Sequence, residues 1–449
     1  MEETKFIALQ EKLWKFMRED IYPNEAEFHR QCEASRDPKN EWTHPPILTQ
    51  LKKKAKSLGL WNLFLPVDSA KIAGHSGGGL TNLQYADICE IMGTACPAEF
   101  AAQATNCTSP DTGNMEVLAR FGTHEQKQRW LVPLLEGNIR SAFAMTEPAV
   151  ASSDATNIGI EIKREKDEYV INGQKWWTTG AGSLHCEILI LMGKTNPQAK
   201  LHLQQSQILV PMNTPGITIM RPLLAMGHDD APKGHMQLRF DNVRVPVSNV
   251  LLGEGRGFEI SQARLGPGRI HHCMRAIGQA ERALSLHCKR VEQRKAFGRQ
   301  LAKFDNVRQD IAVSRNDIDM GRLLIKTAAD LMDKRGNGDP YTRKLLSLVK
   351  AHIPKMVQTV ADRAIQAHGA MGVCQDTPLF MIFAGARMLR IADGPDEVHW
   401  RTAGRIELSM QKKSPLRHLG YYPLEPEVFR VTSNPISEDA KKRVAAAKL

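Results

Sequence analysis

The hydrophobic period of this chain changes twice along its length, which restricts the folds open to it. Residues 1–140 repeat apolar side chains every three to four positions, the period of an amphipathic helix. Residues 141–255 carry short apolar or alternating runs instead, which are typical of strands. The helical period then returns over residues 256–412. Because helices and strands fall in separate blocks, we expect an α+β fold rather than alternating βαβ units.

Each block predicts its own domain. We expect an all-α domain at 1–140 and a small antiparallel β-barrel or sandwich at 141–255, since the strands are short and closely spaced. Long amphipathic stretches joined by short loops predict a four-helix bundle at 256–412. The weakly periodic, proline-containing residues 413–449 predict an extended tail.

Local breaks refine this picture. Asn172 and Gly173 predict a tight turn between two strand pieces. Gly336 predicts the end of a bundle helix. Pro354 predicts a kink in the next one.

Composition narrows the class of protein. The chain has 449 residues, 42% hydrophobic and 24% charged, which excludes a disordered, collagenous or disulfide-scaffold class. The net charge of +11 suits an anionic partner such as nucleic acid, a membrane surface or a phosphorylated metabolite. Because no nucleic-acid-reading motif accompanies this charge, we predict no nucleic-acid partner and favour a polyanionic small molecule.

Membrane spans, targeting segments and metal sites are not expected. No apolar run approaches the roughly 18–20 residues that cross a bilayer, and the acidic start resembles neither a secretory signal nor a transit peptide. The eight cysteines form no CxxC pair, which suits a reducing compartment. His271 and His272 lack further ligands at helical spacing, so we predict structural roles for them and no metal.

Four ordered motifs carry more specific information. They are 143–154 (FAMTEPAVASSD), 173–180 (GQKWWTTG), 293–298 (QRKAFG), and 366–372 (QAHGAMG) with 391–399 (IADGPDEVH). Each alone is a weak signal, but their order and spacing together resemble the acyl-CoA dehydrogenase family over residues 5–410. The loops around Ser153 and Asp393 are most similar to the branch sometimes fused to a kinase-like domain.

The resemblance implies a fold, a cofactor and a reaction. Members of this family hold FAD between the middle β-domain and the C-terminal bundle. A carboxylate removes the α-proton of a fatty acyl-CoA thioester while the β-hydrogen leaves as hydride to flavin N5. The product is a trans-2-enoyl-CoA, which makes this a step of fatty acid β-oxidation in lipid metabolism.

Asp393 is the predicted catalytic base. The resemblance puts it where Glu is usual, and Asp is shorter by one methylene, which matters because proton transfer needs a close approach of roughly 2.6–3.2 Å. We expect burial to raise the pKa of Asp393 and strengthen it as a base. The alternative is that Asp393 caps the helix beginning near Asp396, although Asp396 is better placed to do so.

The middle domain supplies the first group of predicted cofactor contacts. By resemblance, Thr hydroxyls and strand N–H groups donate to the flavin, where they stabilise developing negative charge, and Trp177 stacks near one flavin edge. From composition alone, the pair at 176–177 is more typical of a core. The predicted FAD contacts in this domain are Phe143, Met145, Thr146, Ala151, Ser152, Ser153, Trp177, Thr178 and Thr179.

The bundle supplies the second group. By resemblance, Arg294 and Phe297 bind the FAD of a neighbouring subunit, and an Arg suits a pyrophosphate. Small residues allow a close approach to the adenosine end, which Glu397 also faces. The predicted FAD contacts in this domain are Arg294, Phe297, Gln366, Gly369, Ala370, Gly394 and Glu397.

Ser153, Arg269 and Gly394 are the predicted substrate contacts. The loop that carries Ser153 is one residue longer than the common family pattern. Arg269 corresponds to a family Arg near the catalytic carboxylate and CoA, although its Gly-Pro-Gly context differs from the usual one.

Partners and alternatives complete the expectations. An electron-transfer flavoprotein is the expected electron acceptor, and the subunit-bridging loop implies a homodimer or homotetramer. Because an Asp base is familiar in nitroalkane oxidases of this fold, a flavin oxidase stays open, as does a non-catalytic acyl-CoA or fatty-acid binding protein. The ending at 447–449 (AKL) resembles a peroxisomal address. We expect a peroxisomal location in a eukaryote and a cytoplasmic one otherwise.

Overall fold

The computed structural model describes residues 1–34, 44–74, 77–418 and 438. The chain forms two compact units, 1–403 and 404–449. In the second unit, the described residues hold the end of the last long helix and a 3-10 turn at Pro415–His418. The tail predicted at 413–449, with its AKL ending, therefore lies mostly outside the described residues. The domain boundaries at 140, 255 and 412 stay predictions.

Nine α-helices precede the sheet in the part of the chain that the structure describes, and their apolar faces follow the predicted period. In the first helix, Phe6, Leu9, Leu13 and Phe16 are all buried. The helices are α1 (Glu3–Phe16), α2 (Glu25–Ala34), α3 (Pro46–Ser57), α4 (Val67–Ala73), α5 (Asn82–Gly93), α6 (Phe100–Ala104), α7 (Asp111–Phe121), α8 (His124–Gln126) and α9 (Val132–Glu136).

A seven-stranded mixed sheet forms the middle of the molecule. Its order is β1-β4-β2-β3-β7-β6, and β5 pairs with β4. The strands are β1 (Arg140–Ala144), β2 (Glu161–Glu165), β3 (Glu168–Thr179), β4 (Cys186–Lys194), β5 (Gln205–Pro211), β6 (Ile217–Pro222) and β7 (His235–Pro246). Most pairings are antiparallel as expected, but β1 and β2 each pair with β4 in parallel.

The turn predicted at Asn172 and Gly173 is wrong. Strand β3 runs through both residues. The hairpin turn lies before β3, between β2 and β3, where Glu165 pairs with Glu168. Gly173 instead lies at a bulge with φ +139°, and a Cβ there would come within 2.7 Å of Ile160. This glycine is needed for a bulge and a close contact rather than for a turn.

The C-terminal helices form a bundle. They are α10 (Gly257–Gln293), α11 (Asp305–Arg335), α12 (Pro340–His368), α13 (Leu379–Leu389) and α14 (Asp396–Gln411). Helices α10, α11 and α12 pack on one another and α13 packs on α12. Helix α11 ends before Gly336 as predicted, and α12 continues through Pro354 without interruption. The α+β fold class, with helical domains on either side of a sheet, is confirmed.

Helix α10 is clamped against α5 by two glycines. A Cβ on Gly93 would lie 2.2 Å from the carbonyl oxygen of Arg275, and one on Gly278 would lie 2.3 Å from that of Glu90. The two helices therefore approach backbone to backbone. This contact fixes the middle of α10, which carries several of the residues described next.

Candidate active site

Asp393 lies in the short loop between α13 and α14. Its backbone has φ +56°, a left-handed conformation that Asp adopts at some cost. Gly394 follows with φ +104°, and a Cβ there would lie 2.8 Å from His399 Nε2. The loop thus has an unusual backbone at the residue predicted to be the base.

Two buried side chains hold this backbone in place. Lys350 of α12 is fully buried, and its Nζ donates to the carbonyl oxygens of Leu389 and Gly394 at 2.5 and 3.3 Å. His399 Nε2 lies 3.2 Å from the carbonyl oxygen of Asp393, and because a carbonyl only accepts, the imidazole donates. Both ends of the loop are therefore hydrogen-bonded to the bundle.

The electrostatic surroundings of Asp393 reverse one expectation. Its side chain is 26% exposed. Burial raises the pKa of Asp393, but His272 and the positive charges of Arg264, Lys350 and Arg269 lower it by more, so the pKa falls below its usual value. The prediction that burial would raise this pKa is wrong because it left out the cationic side chains of α10 and α12.

The helix-cap alternative does not describe this loop. Asp396 is the first residue of α14, and its Oδ2 accepts a hydrogen bond from Arg390 Nε at 2.7 Å. Asp393 Oδ2 instead lies 3.5 Å from His272 Nε2. The carboxylate of Asp393 therefore faces α10.

The neighbouring histidines of α10 differ in their surroundings. His271 is buried and meets the ring of Tyr85 edge-on at 4.6 Å, which fits the structural role predicted for it. His272 contacts Asp393 and Arg275, which sequence reasoning missed. The usable signal was the three-residue spacing of Arg269, His272 and Arg275, which aligns them along one helix face.

Two arginines of α10 complete the surroundings of Asp393. Arg269 Nε is buried and has no hydrogen-bond partner. The guanidinium of Arg264 lies 4.1 Å from the ring centroid of Phe143 and donates to Asn114 at 3.3 Å. Arg264 thus connects the predicted flavin strand to the carboxylate, a role that sequence reasoning did not assign.

A buried ion pair anchors the segment after β1. Lys175 Nζ donates to Glu147 Oε1 and to the carbonyl oxygen of Met145, both at 2.7 Å. The backbone N–H of Trp176 donates to the carbonyl oxygen of Thr146 at 3.0 Å. Met145 and Thr146, both predicted flavin contacts, are therefore fixed against β3.

The two serines of the loop at 151–154 have different surroundings. Ser152 Oγ accepts from the backbone N–H of Glu147 at 2.9 Å, whereas Ala151 and Ser153 are exposed. Asp154 accepts from the backbone N–H of Thr156 at 3.0 Å, as in an ordinary Asx turn. Ser153 is free to contact a ligand, and its predicted roles stay predictions.

The Trp-Thr-Thr segment at the end of β3 is unusual in its backbone and its polar atoms. Trp177 has φ +50°, in the left-handed region, and its side chain is 38% exposed. Thr178 Oγ1 and Trp176 Nε1 are buried without a hydrogen-bond partner, and Thr179 Oγ1 lies 2.8 Å from His235 Nδ1. An exposed indole beside unpartnered polar atoms fits a ligand site better than a core.

A cleft in the bundle brings together four of the cofactor residues predicted in that domain. It has a volume of about 400 Å³ and is lined by Arg290, Arg294, Ala296, Leu301, Gln366, Ala367, His368, Gly369, Ala370 and Met371. Arg290 Nε is buried there without a hydrogen-bond partner. Four of the predicted residues, from two distant motifs, therefore line one cleft.

Besides Gly394 of the Asp393 loop, two predicted FAD contacts of the bundle lie away from this cleft. Phe297, at the tip of the hairpin Lys295–Ala296 and Arg299–Gln300, is 96% exposed. Glu397 is exposed in the first turn of α14. Neither lines the cleft, so a role for either one in FAD binding stays a prediction.

Comparison with known proteins identifies the class of protein. Residues 4–138, 142–243 and 255–408 match the models of the acyl-CoA dehydrogenase N-terminal, middle and C-terminal domains. The chain belongs to the acyl-CoA dehydrogenase family, which confirms the resemblance.

Individual relatives cover the chain to different extents. The chain is 52% identical to the probable acyl-CoA dehydrogenase FadE2 of Mycobacterium tuberculosis, covering 92% of this chain and 97% of that protein. It is 53% identical to acyl-CoA dehydrogenase family member 10 of Mus musculus, covering 90% of this chain but 37% of that protein. It is 52% identical to the probable acyl-CoA dehydrogenase IBR3 of Arabidopsis thaliana, covering 91% of this chain and 51% of that protein. The chain thus spans about half or less of the length of these two curated relatives.

Solved structures agree with the fold. A putative acyl-CoA dehydrogenase from Mycobacterium abscessus matches with a TM-score of 0.86 and 46% identity, covering 92% of this chain and all of that one. Butyryl-CoA dehydrogenase from Megasphaera elsdenii matches with a TM-score of 0.74 and 26% identity, covering 91% and 99%.

The described residues contain neither a membrane-spanning helix nor a metal-binding cluster. Among residues 1–34, 44–74 and 77–418, no helix has the length and apolar character needed to cross a membrane. In the same part of the chain, no group of three or more His, Cys, Asp or Glu side chains could hold a metal ion.

Proposed function

We propose that this chain oxidises a fatty acyl-CoA thioester to a trans-2-enoyl-CoA with FAD, and that Asp393 is the base. The observation that carries the proposal is a carboxylate on a strained loop, facing α10 and surrounded by Arg264, Arg269 and Lys350. These cations keep Asp393 ionised and therefore ready to accept a proton near neutral pH.

The residues present fit FAD. Thr178 Oγ1, Trp176 Nε1 and Arg290 Nε are buried polar atoms without partners, and a bound cofactor would satisfy such atoms. Met145, Thr146 and the segment at 177–179 would hold the flavin, and the bundle cleft, through Arg294, would hold the phosphates and adenosine of the FAD of a neighbouring subunit. When bound, FAD supplies the acceptor for the hydride that leaves Cβ.

The chain's own residues perform the remaining work. Asp393 takes the proton from Cα as that C–H bond breaks, and the electron pair left behind forms the Cα–Cβ double bond while the β-hydrogen departs as hydride. Arg269, whose Nε has no partner, would donate to the thioester or CoA. Lys350 and His399 hold the loop backbone, so the carboxylate stays within reach of Cα.

The direct test mixes the purified yellow protein anaerobically with butyryl-, octanoyl- and palmitoyl-CoA and follows flavin absorbance. Bleaching is expected with at least one of them, and Asp393→Asn should abolish it while FAD stays bound. Asp241→Asn, which changes an exposed aspartate of β7, is the matched control and should bleach normally. Normal bleaching by Asp393→Asn would rule out this base.

The same experiment separates the alternatives. Bleaching by nitroalkanes and not by acyl-CoA would favour a flavin oxidase, for which an Asp base is the specific argument. A bound acyl chain without bleaching would favour a non-catalytic binding protein. Either result would overturn the dehydrogenase proposal.

The electron acceptor and assembly belong to the same proposal. We propose an electron-transfer flavoprotein as acceptor, tested by comparing its reduction with oxygen consumption during turnover.

A homodimer or homotetramer is supported by Phe297, because a 96% exposed Phe at a hairpin tip is costly to leave in water. Light scattering should report a mass of two or four chains, and a monomer would contradict this. Peroxisomal and β-oxidation roles stay proposals.

A further inference from the structure

His272 lies between two charged side chains. Its Nδ1 is 3.1 Å from Arg275 Nη2, and its Nε2 is 3.5 Å from Asp393 Oδ2. A guanidinium only donates hydrogen bonds, so Nδ1 must accept, and the proton of a neutral imidazole then lies on Nε2. The N–H of this tautomer faces the carboxylate of Asp393.

Arg275 is held firmly enough to select that tautomer. Its Nε donates to Glu99 Oε1 at 2.9 Å, and Thr108 Oγ1 donates to the other oxygen of Glu99. Burial raises the pKa of Glu99, but Arg275, Lys233 and His272 lower it to about 2. Glu99 therefore stays anionic and Arg275 stays cationic, so Nδ1 keeps its acceptor role.

The groups around His272 disfavour a second positive charge. It faces Arg275 on its own helix, Asp393 on the α13–α14 loop, Glu99 before α6 and Lys350 on α12. Burial and Arg275 lower the pKa of His272, and the opposing effects of Asp393 and Glu99 leave it at about 4. At neutral pH the imidazole is uncharged.

We propose that His272 is a positioning residue for the reaction proposed above, and the inference rests on Asp393 being the base. The neutral Nε2–H lies 3.5 Å from Oδ2 of Asp393 and would close to a hydrogen bond when substrate binds, which leaves Oδ1 to take the α-proton. An uncharged donor fixes the carboxylate while lowering its basicity less than a cation would. Fixing one oxygen also limits the rotation of the carboxylate, which matters because proton transfer depends on a close approach of the other oxygen.

Two substitutions of His272 separate positioning from general disruption. In His272→Gln the amide nitrogen reaches about as far as Nε2, so it still meets Asp393. In His272→Asn the side chain ends near the position of Nδ1, so it meets Arg275 and not Asp393. We expect flavin reduction by acyl-CoA to stay within about tenfold for Gln and to fall about 100-fold for Asn. The half-saturating acyl-CoA concentration and FAD content should not change.

The pH profile provides a readout that a purely structural role would not move. An N–H donor beside a carboxylate favours its ionised form, so losing the Nε2–H in His272→Asn should shift the acid limb of the rate profile to higher pH. His272→Gln should keep the wild-type limb. Equal rates and equal profiles for the two variants would overturn the inference.

A readout independent of activity uses the protein without substrate. Nitrogen NMR of protein labelled at histidine, assigned by loss of a signal in His272→Gln, should show an unprotonated Nδ1 and a protonated Nε2. This state should persist down to about pH 5, as the low pKa requires. A proton on Nδ1, or titration near the ordinary pKa of His, would overturn the inference.

The outcomes distinguish this inference from the function it rests on. If Asp393→Asn still bleaches normally, the base proposal fails and the role of His272 fails with it. If Asp393→Asn is inactive while His272→Asn behaves like His272→Gln, only the positioning role fails.

Discussion

Gly93 of α5 packs directly against the backbone of Arg275 on α10, and a Cβ at Gly93 would lie 2.2 Å from the Arg275 carbonyl oxygen. The contact joins the N-terminal helices to the residue that hydrogen-bonds His272. The position of the proposed base therefore depends on how closely two helices from distant parts of the chain approach each other.

Gly93→Ala should destabilise the protein and slow flavin reduction together. The added methyl group has no room and must push α5 from α10, which costs about 1–3 kcal/mol of unfolding free energy. The displacement of Arg275 should also loosen His272. Urea unfolding and stopped-flow flavin reduction measure the two effects.

Gly385→Ala is the control for Gly93→Ala. Gly385 is exposed in α13 and a Cβ there would meet nothing within 4 Å. This substitution should be neutral or stabilise by up to about 1 kcal/mol. If Gly93→Ala behaved like Gly385→Ala, the close helix contact would not matter for stability.

The ion pair between Glu147 and Lys175 gives a second prediction. Both side chains are buried, with 7% and 0% exposure, so Glu147→Gln leaves a buried ammonium without its counter-charge. We expect a loss of about 3–5 kcal/mol of unfolding free energy. Lys163→Met, which removes an exposed pair with Glu165, should change it by less than about 1 kcal/mol. Similar losses from both substitutions would contradict this account.

Much of the fold and part of the candidate site could be predicted from the sequence, because the information lies in short stretches of the chain. The hydrophobic period placed the helical and strand blocks because it reflects which face of each element is buried. Motif matching predicted that Arg294 and Gln366 both contact FAD, and the structure places them in one cleft although they are distant along the chain. Such information is contained in short segments.

What the sequence missed depends on tertiary contacts. The pKa of Asp393 falls because His272, Arg264 and Lys350, on helices elsewhere in the chain, meet at its loop. The tight turn expected at Gly173 was wrong because packing against Ile160 needs a glycine there for another reason. Neither the contacts of Asp393 nor the packing of Gly173 can be predicted from the sequence segment around that residue alone.

Glu116 of α7 makes stability depend on pH. Burial raises its pKa to about 7, although Arg120, Ser69 and Arg264 act in the opposite direction. A carboxyl whose folded pKa lies above its unfolded value loses stabilisation as pH rises between the two. The wild type should therefore lose up to about 3 kcal/mol relative to Glu116→Gln between about pH 4 and pH 8.

Urea unfolding of wild type and Glu116→Gln across that pH range measures this difference. Glu3→Gln, at an exposed position of α1, is the control and should differ from the wild type by the same amount at every pH. A difference for Glu116→Gln that did not grow with pH would show that Glu116 is ionised in the folded protein.

Arg294 provides the test of the bundle cleft. If it binds a cofactor phosphate, Arg294→Gln removes a charge-assisted hydrogen bond, and FAD affinity should fall about tenfold or more. Arg308→Gln is the control, because Arg308 is an exposed arginine of α11 that pairs with Asp305 outside the cleft. Fluorescence titration of the FAD-depleted protein measures both affinities, and flavin absorbance after gel filtration checks retention. Equal affinities for the two variants would show that the cleft does not hold the FAD phosphates.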